Sequence, residues 1–545
     1  MSAAPQLEPG RDAVTVAAGP ATWSLQDLDG ATLHHAGDAG FTAAAARAAM
    51  TSADPLDGVS RFLADAPGFG AGIVTWDGRA LAFTDHCRST PVFYAAGDHA
   101  VVGGDAYAVR DAAGLSGFSD NAALTAATAG YIAGAGTLVD GLNQVRPGEA
   151  VLWTGSGEPE QRRSFVYTPA RTFGGGDELT AAIDNAIDRV IAAAGDAPVW
   201  VPLSGGLDSR LILAKLAARG CPNLHSFSYG PRGNDDAMVA REIAARLNVP
   251  WQFVATPPAD VRRFFESETR RSYWRSAGSF CATPNNQDLL PLIRLRESGA
   301  LTDDAMIVNG QTGDFISGGH IPDILFDAGI AVDNLLDRII DRHHALWRSL
   351  LTGANRNRLK AHIRETLDLT ADSGDMLEPP EAIALWERYE YEGRQAEYIV
   401  NGQRIYDFLG LRWALPLWDG EVVRFWRDAA PAHKRGQKLY RETWETWDHA
   451  GVFSLPTRKV TAWSRPVSAV LIPASVATRL VAGRARRDRW MTYARYFDRY
   501  GNHYQAFGWR HFRQHAADAR NPLSYYTRAW FNELGVPWPA GTAQP

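Results

Sequence analysis

The sequence predicts an α/β protein in two parts: a sheet-rich α+β part up to about residue 172, then a parallel-sheet, Rossmann-like part that becomes largely helical towards its end. Three observations predict this. Short apolar and β-branched runs separated by turn residues fill the first part. Strand, loop and helix alternate after the glycine run Gly174, Gly175 and Gly176. A chain of 545 residues also exceeds what one hydrophobic core supports.

In the first part, residues 71–76, 80–84, 91–95 and 150–153 read as strands, with Asp77-Gly78 as a hairpin turn between the first two. Residues 42–50 and 121–127 are alanine-rich and read as helices. Residues 172–177 read as a linker, which sets domain boundaries of 1–172 and 173–545. Residues 179–194 then form an amphipathic helix, 199–203 an apolar strand, and 210–219 a helix that Gly220 is placed to end. A strand at 224–228, a helix at 236–247 and a strand at 251–255 follow, and this pitch implies a parallel sheet with crossover helices. Beyond Ile324 the chain reads as mostly helical and rich in Trp, Arg and Glu, ending in a loose tail at 537–545.

Net charge of −6 argues against a protein that coats nucleic acid. The three cysteines, Cys87, Cys221 and Cys281, do not pair at metal-binding spacing and suit a reducing compartment. Residues 1–26 lack the basic start and apolar run of a signal peptide, and the apolar stretch 467–481 contains Arg479 and is too short to span a bilayer. A cytoplasmic protein without nucleic-acid or membrane partners is expected. Only five of the 55 basic residues are lysines (Lys215, Lys360, Lys434, Lys438 and Lys459), so a lysine kept within a motif is informative.

The chemistry centres on Ser204-Gly205-Gly206-Leu207-Asp208-Ser209, placed after a predicted strand and before a predicted helix. Parallel sheets bind ligands at the carboxyl ends of their strands. Adjacent glycines let backbone N–H groups turn inward, and the helix start adds positive partial charge, so such a loop can cradle phosphates. Asp208 would repel a bare phosphate, and makes sense if Mg²⁺ lies between them. The loop lacks both the Gly-Lys-Ser/Thr ending of a Walker motif and a Gly-x-Gly-x-x-Gly pattern. The alternative is a tight strand-to-helix turn that binds nothing.

Ser-Gly-Gly-Leu-Asp-Ser resembles the pyrophosphate loop of the ATP-pyrophosphatase superfamily, and the chain around it resembles the asparagine synthetase branch. Residues 226–230, with Tyr229, are similar to the turn that reads the nucleoside there, and Asp235-Asp236 to the acidic helix start that follows. Asn309-Gly310-Gln311-Thr312-Gly313-Asp314, ending at Gly318-Gly319, is similar to the second signature loop. Residues 415–419 resemble a Pro-Phe-Leu-Asp segment expected to be mainly packing, and 455–459 the stretch that delivers an active-site lysine, here Lys459. The resemblance implies an enzyme that adenylates a carboxylate with ATP, releases pyrophosphate and passes the acyl group to an amine. ATP would lie against Pro202, Leu203, Ser204, Gly205, Gly206, Asp208, Ser209, Tyr229, Asn309 and Gly310. Asp208 and Asp314 would hold Mg²⁺, and Lys459, Asp208 and Gln311 would act in catalysis. Gln311 stands where the family usually has glutamate, which leaves open whether ammonia is the amine and aspartate the acid.

The first part resembles the family's glutaminase domain, an Ntn-type fold, through residues 71–76, 85–94 and 141–148. The chain begins Met1-Ser2-Ala3-Ala4, without the cysteine that starts such domains, and Cys87 is internal and lacks an α-amino group of its own as base. A structural, degenerate glutaminase-like domain is therefore expected. Rivals are asparagine synthetase proper fed by ammonia, a thiolase or nucleotide-synthesis enzyme of the superfamily, and a relict that binds ATP without catalysis. The expected substrates are a small-molecule, peptide or glycan carboxylate plus an amine, and a homodimer is left open.

Overall fold

Residues 70–84 form the expected hairpin. Gly70–Trp76 pairs antiparallel with Arg79–Thr84, and the turn residues Asp77 and Gly78 have φ of 45° and 72°, the left-handed pair that matches the twist of a two-residue hairpin. The computed structural model describes residues 14–457 except 18, 98, 156, 170–173 and 371–374, then isolated positions between 470 and 496, and residues 506–540.

The hairpin is central in a six-stranded antiparallel sheet, ordered Glu160–Arg163, Glu149–Trp153, Arg79–Thr84, Gly70–Trp76, Thr32–Gly37, Ser24–Asp27. Side chains alternate across it, as the period of a strand demands. Val74, Trp76, Leu81 and Phe83 pack with helices Ala39–Thr51 and Pro55–Asp65. Ala71, Ile73, Ala80 and Ala82 share a second core with Val92, Tyr94 and Val102, carried by and beside the second, four-stranded sheet. The first compact unit comprises residues 1–119 and 134–166, and the second 120–133 and 167–545. The alanine-rich helix Asp120–Ala129 falls in the second, where Leu124 joins its helical core.

The second unit begins with helix Gly176–Ala194, which buries Leu179, Ile183, Ile187 and Val190 on one face. Its start corrects the expected linker. The Glu178 carboxylate accepts the Gly175 N–H at 3.0 Å, a capping contact that draws Gly176 and Asp177 into the first turn. Five parallel strands follow in the spatial order Trp251–Ala255, Leu224–Gly230, Val199–Pro202, Met306–Val308, Arg412–Ala414. The last was not expected from sequence, having three residues and no clear alternation. Helices Leu207–Ala218 and Asp235–Arg246 connect the first three strands. The later helical part includes Val332–His343, Gly353–Thr366 and Pro379–Glu390. Pro379–Glu390 runs on as a π-helical stretch Tyr391–Ile399, a 3₁₀ turn Val400–Gln403 and helix Arg404–Phe408. Among the described residues, no helix is long and apolar enough to cross a membrane.

Candidate nucleotide and metal site

From the central strand Val199–Pro202 the chain moves to one side of the sheet, then returns to the other side through Met306–Val308. The boundary between these neighbouring strands is the topological switch point, where loops diverge and leave a crevice at the carboxyl ends. Both signature loops leave the sheet there. Asp208 lies in the first turn of helix Leu207–Ala218 and Asp314 in the first turn of helix Gly313–Ile316.

The two acids meet across 106 positions of sequence. The Asp314 N–H donates to Asp208 Oδ2 at 3.1 Å, and the Tyr440 hydroxyl donates to Asp208 Oδ1 at 2.9 Å. The approach needs glycine. A Cβ on Gly313 would lie 2.4 Å from Asp208 Oδ1, and one on Gly310 would lie 2.6 Å from the Ser209 backbone nitrogen. Burial, and then the neighbouring Asp314 charge, push the Asp208 carboxyl up to about 7. The Asp314 side chain is 60% exposed. Partial desolvation opposes its ionisation, but the hydrogen bond and charge of His320 hold its carboxyl below the usual range.

These donors fit a divalent oxygen-seeking cation. Two neighbouring carboxylates, one driven towards protonation by burial and then by the other's charge, gain from a positive charge between them, and magnesium commonly takes only one or two protein carboxylates alongside substrate phosphates. Among the described residues no group of three or more His, Cys, Asp and Glu side chains is arranged to hold a metal unaided.

The glycine loop departs from the sequence expectation in one respect. The N–H groups of Ser204 and Gly206 donate to the Ser209 and Ser204 hydroxyls, each at 3.1 Å, and the Gly205 N–H donates to Asp236 Oδ1 at 2.9 Å. The two hydroxyls are themselves 3.1 Å apart. The adjacent glycines thus do not present free amides. The donors without a side-chain cap are those of the helix start that Gly206 opens, where the helix dipole is also positive. Leu203 is buried with both backbone groups engaged, its N–H to Phe227 O at 2.8 Å and its C=O accepting from Ser228 Oγ at 2.7 Å. Pro202 is half-buried at the strand end.

Tyr229 and Asn309 are joined through a buried acid. The Tyr229 and Tyr406 hydroxyls each donate to Asp288 at 2.7 Å, and Asn309 Nδ2 donates to the Tyr406 oxygen at 3.0 Å. Burial raises the Asp288 carboxyl, against the two phenolic hydrogen bonds. Gln311 Oε1 accepts from Gln403 Nε2 at 2.8 Å. His320, at the end of the second signature, bridges Asp314 and a buried glutamate: its Nε2 is 3.1 Å from Asp314 Oδ2 and its Nδ1 is 2.5 Å from Glu390 Oε1. Desolvation alone would lower the imidazole, but these two carboxylates raise it to about 9. Burial would likewise raise Glu390, yet His320, His343 and Arg394 hold it at about 2.

Sequence reasoning missed His320, Glu390, Tyr440 and Asp288. A histidine directly after Gly318-Gly319 was the one local signal available. Lys459 lies outside the described residues. The chain before it is tied to the glycine loop by buried Arg210, which donates to the Val452 and Leu455 carbonyls at 2.8 Å and to the Gly205 carbonyl at 2.8 Å. Leu415, Pro416, Leu417 and Trp418 are buried, in keeping with a packing role, and Asp419 pairs with Arg189 at 2.7 Å. In the first unit, Cys87 is buried and donates to Asp85 Oδ1 at 3.3 Å. Burial, and then the Asp85 charge, raise its thiol well above the ordinary value, so it stays protonated.

Fold and site together define a switch-point α/β domain whose two loops present an anion-attracting helix start beside a pair of acids. Residues 178–321, which hold both loops, match the family model described as asparagine synthase, and the match supports kinship with the asparagine synthetase family over that segment. No curated protein matches the sequence. Among solved structures, one titled "Structure of the allosteric regulatory enzyme of purine biosynthesis" is similar at 11% identity and a TM-score of 0.19, covering 43% of this chain and 63% of that chain. This chain thus spans under two thirds of that protein, and the likeness carries no argument.

Proposed function

We propose that the chain is an ATP-dependent, AMP-forming carbon–nitrogen ligase that activates a carboxylate as its acyl-adenylate and passes the acyl group to an amine. The observation that supports this most is the meeting of Asp208 and Asp314 at the switch point, beside an uncapped helix start.

A carboxylate is a poor electrophile because its oxygens leave badly, and transfer of AMP onto it supplies a leaving group. In this reading the start of helix Leu207–Ala218 and the Ser204 and Ser209 hydroxyls hold the pyrophosphate end of ATP. A magnesium ion bound by Asp208 and Asp314 would neutralise the phosphate charge. Tyr440 fixes the direction of the Asp208 carboxylate and His320 that of Asp314. Lys459 is assigned to charge building on the α-phosphate and later on the tetrahedral oxyanion. Gln311, neutral and held by Gln403, faces the amine step without the negative charge a glutamate would bring. The first unit is proposed to lack glutaminase activity, because Cys87 remains a buried thiol.

The test is pyrophosphate release from Mg-ATP with a panel of carboxylates and amines, alongside nucleotide binding with and without magnesium. Asparagine formed from aspartate and ammonia would identify the ammonia-fed branch. If no magnesium-dependent nucleotide binding occurs, the ligase reading is wrong.

A further inference from the structure

The second signature loop does not hold itself. Thr312 sits at φ 88°, a left-handed conformation that is costly for a β-branched residue and persists only where the surroundings enforce it. Four of the loop's residues are tethered to one continuous stretch of chain. Asn309 bonds Tyr406 at 3.0 Å, Gln311 bonds Gln403 at 2.8 Å, and the Thr312 hydroxyl donates to Gln395 Oε1 at 3.1 Å. Asp314 reaches Glu390 through the His320 ring. Gln395 also donates to Glu390 Oε1 at 3.0 Å, which locks the two anchors together.

These anchors are buried, Glu390 and Gln403 completely, so they are not solvated surface groups that touch the loop by chance. The backbone that carries them is irregular: α-helical to Glu390, π-helical over Tyr391–Ile399, and 3₁₀ over Val400–Gln403. In a regular α-helix, residues five apart are separated by about 140° around the axis, so Gln395 would turn away from the loop that Glu390 faces. The wider π turn brings both onto one side, and such turns concentrate at functional sites.

We infer that Glu390, Gln395, Gln403 and Tyr406 are positioning residues, presented by the π/3₁₀ stretch and the helix ends that flank it to hold the second loop in the one shape that brings Asp314 to Asp208. They act through the loop and not on substrate. The inference rests on the proposed metal–nucleotide reading of that acid pair, and adds that metal affinity is set by a segment far from it in sequence.

The test is Mn²⁺ titration of the full chain in the presence of ATP, followed by electron paramagnetic resonance of the free ion, with circular dichroism to check folding. Gln395→Leu is expected to weaken Mn²⁺ binding about tenfold or more, the usual scale for residues that orient a metal ligand. Thr312→Gly adopts the left-handed turn without strain, so adding Gln395→Leu to it is expected to cost under about threefold, a coupling that general destabilisation would not produce. An unchanged Mn²⁺ affinity in Gln395→Leu, or the same loss in both backgrounds, overturns the inference. Should Gln395→Leu fail to fold, Gln403→Met, which releases Gln311, carries the same titration with the same two outcomes. A wild-type chain that binds no Mn²⁺ with ATP removes the ligase reading and this inference together, whereas normal wild-type binding with unaffected variants removes only the inference.

Discussion

Replacing Asp208 with asparagine should make the metal-free protein gain stability relative to wild type as pH rises to neutrality, while destroying its proposed activity. The Asp208 carboxyl rises from an ordinary 3.8 to about 7 in the fold, through burial and then the Asp314 charge. Between those two values the unfolded chain has lost the proton that the folded chain keeps. The unfolded state therefore binds fewer protons, and stability falls as pH rises across the window. Below about pH 4 both states are protonated, and above about pH 7 both are ionised, so the slope is confined between them. A shift of about three units corresponds to about 4 kcal/mol, and sharing of the charge between two acids reduces this to about 2–4 kcal/mol. Asparagine at 208 fits the same space, can still accept from Tyr440 through Oδ1 and does not ionise, while its Nδ2 faces the Asp314 N–H that Oδ2 accepted, a cost that does not vary with pH. For a unit of roughly 400 residues, this converts to a gain of about 2–5 °C in the variant's melting temperature relative to wild type between about pH 4 and pH 7. The assay is thermal unfolding of both proteins in chelator from pH 4 to pH 8. The gap between the curves should shift steadily in the variant's favour from the acid end to pH 7, and the variant should release no pyrophosphate. Parallel curves with no pH-dependent gap would refute the strained acid pair, and retained turnover in Asp208→Asn would refute its role in holding magnesium.

Gly310→Ala places a methyl group against the Ser209 backbone and should cost about 1–3 kcal/mol, with loss of nucleotide binding; melting curves and ATP titration check this, and normal ATP affinity would contradict the close approach. His320→Gln removes an imidazolium whose pKa rises to about 9. Its contribution of about 3 kcal/mol is fully present below about pH 6.5 and fades as pH climbs through 9, so the variant's deficit in melting temperature should be greatest near pH 6 and small by pH 10. Cys87→Ala should leave pyrophosphate release unchanged, and in the wild type Cys87 should resist alkylation until the protein unfolds, as thiol mass labelling would report. Lys459→Ala should lose turnover with near-normal ATP binding, and an unchanged kcat would discard that assignment.

The parts of this fold legible in the sequence are those whose cause is local. The strands Gly70–Trp76 and Val199–Pro202 are apolar runs bounded by turn residues, and Asp77-Gly78 marks a left-handed turn that few other residue pairs reach. Strand Arg412–Ala414 was not legible, because three residues that merely extend an existing parallel edge need no pattern of their own. The linker expected at 172–177 lost its end to the helix because a single side chain, Glu178, captured the Gly175 amide. The consecutive glycines correctly located the loop and misled about its donors, since whether an amide is free depends on Asp236, 31 positions away.

The larger gap concerns residues 390–406. Glu390, Gln395 and Gln403 look in sequence like the polar face of a surface helix, where charged residues would ordinarily face water. Burying them costs free energy unless every group finds a partner. Their partners are Gln311, Thr312 and, through His320, Asp314, while Tyr406 further along takes Asn309. Thr312, whose left-handed backbone must be held from outside, has the greatest need of such a partner. A polar segment driven into the interior, a helix wound off its regular period and a strained loop would each be a defect alone. Together they hold one another in place, and the arrangement they fix is the contact between Asp208 and Asp314 on which the proposed chemistry depends.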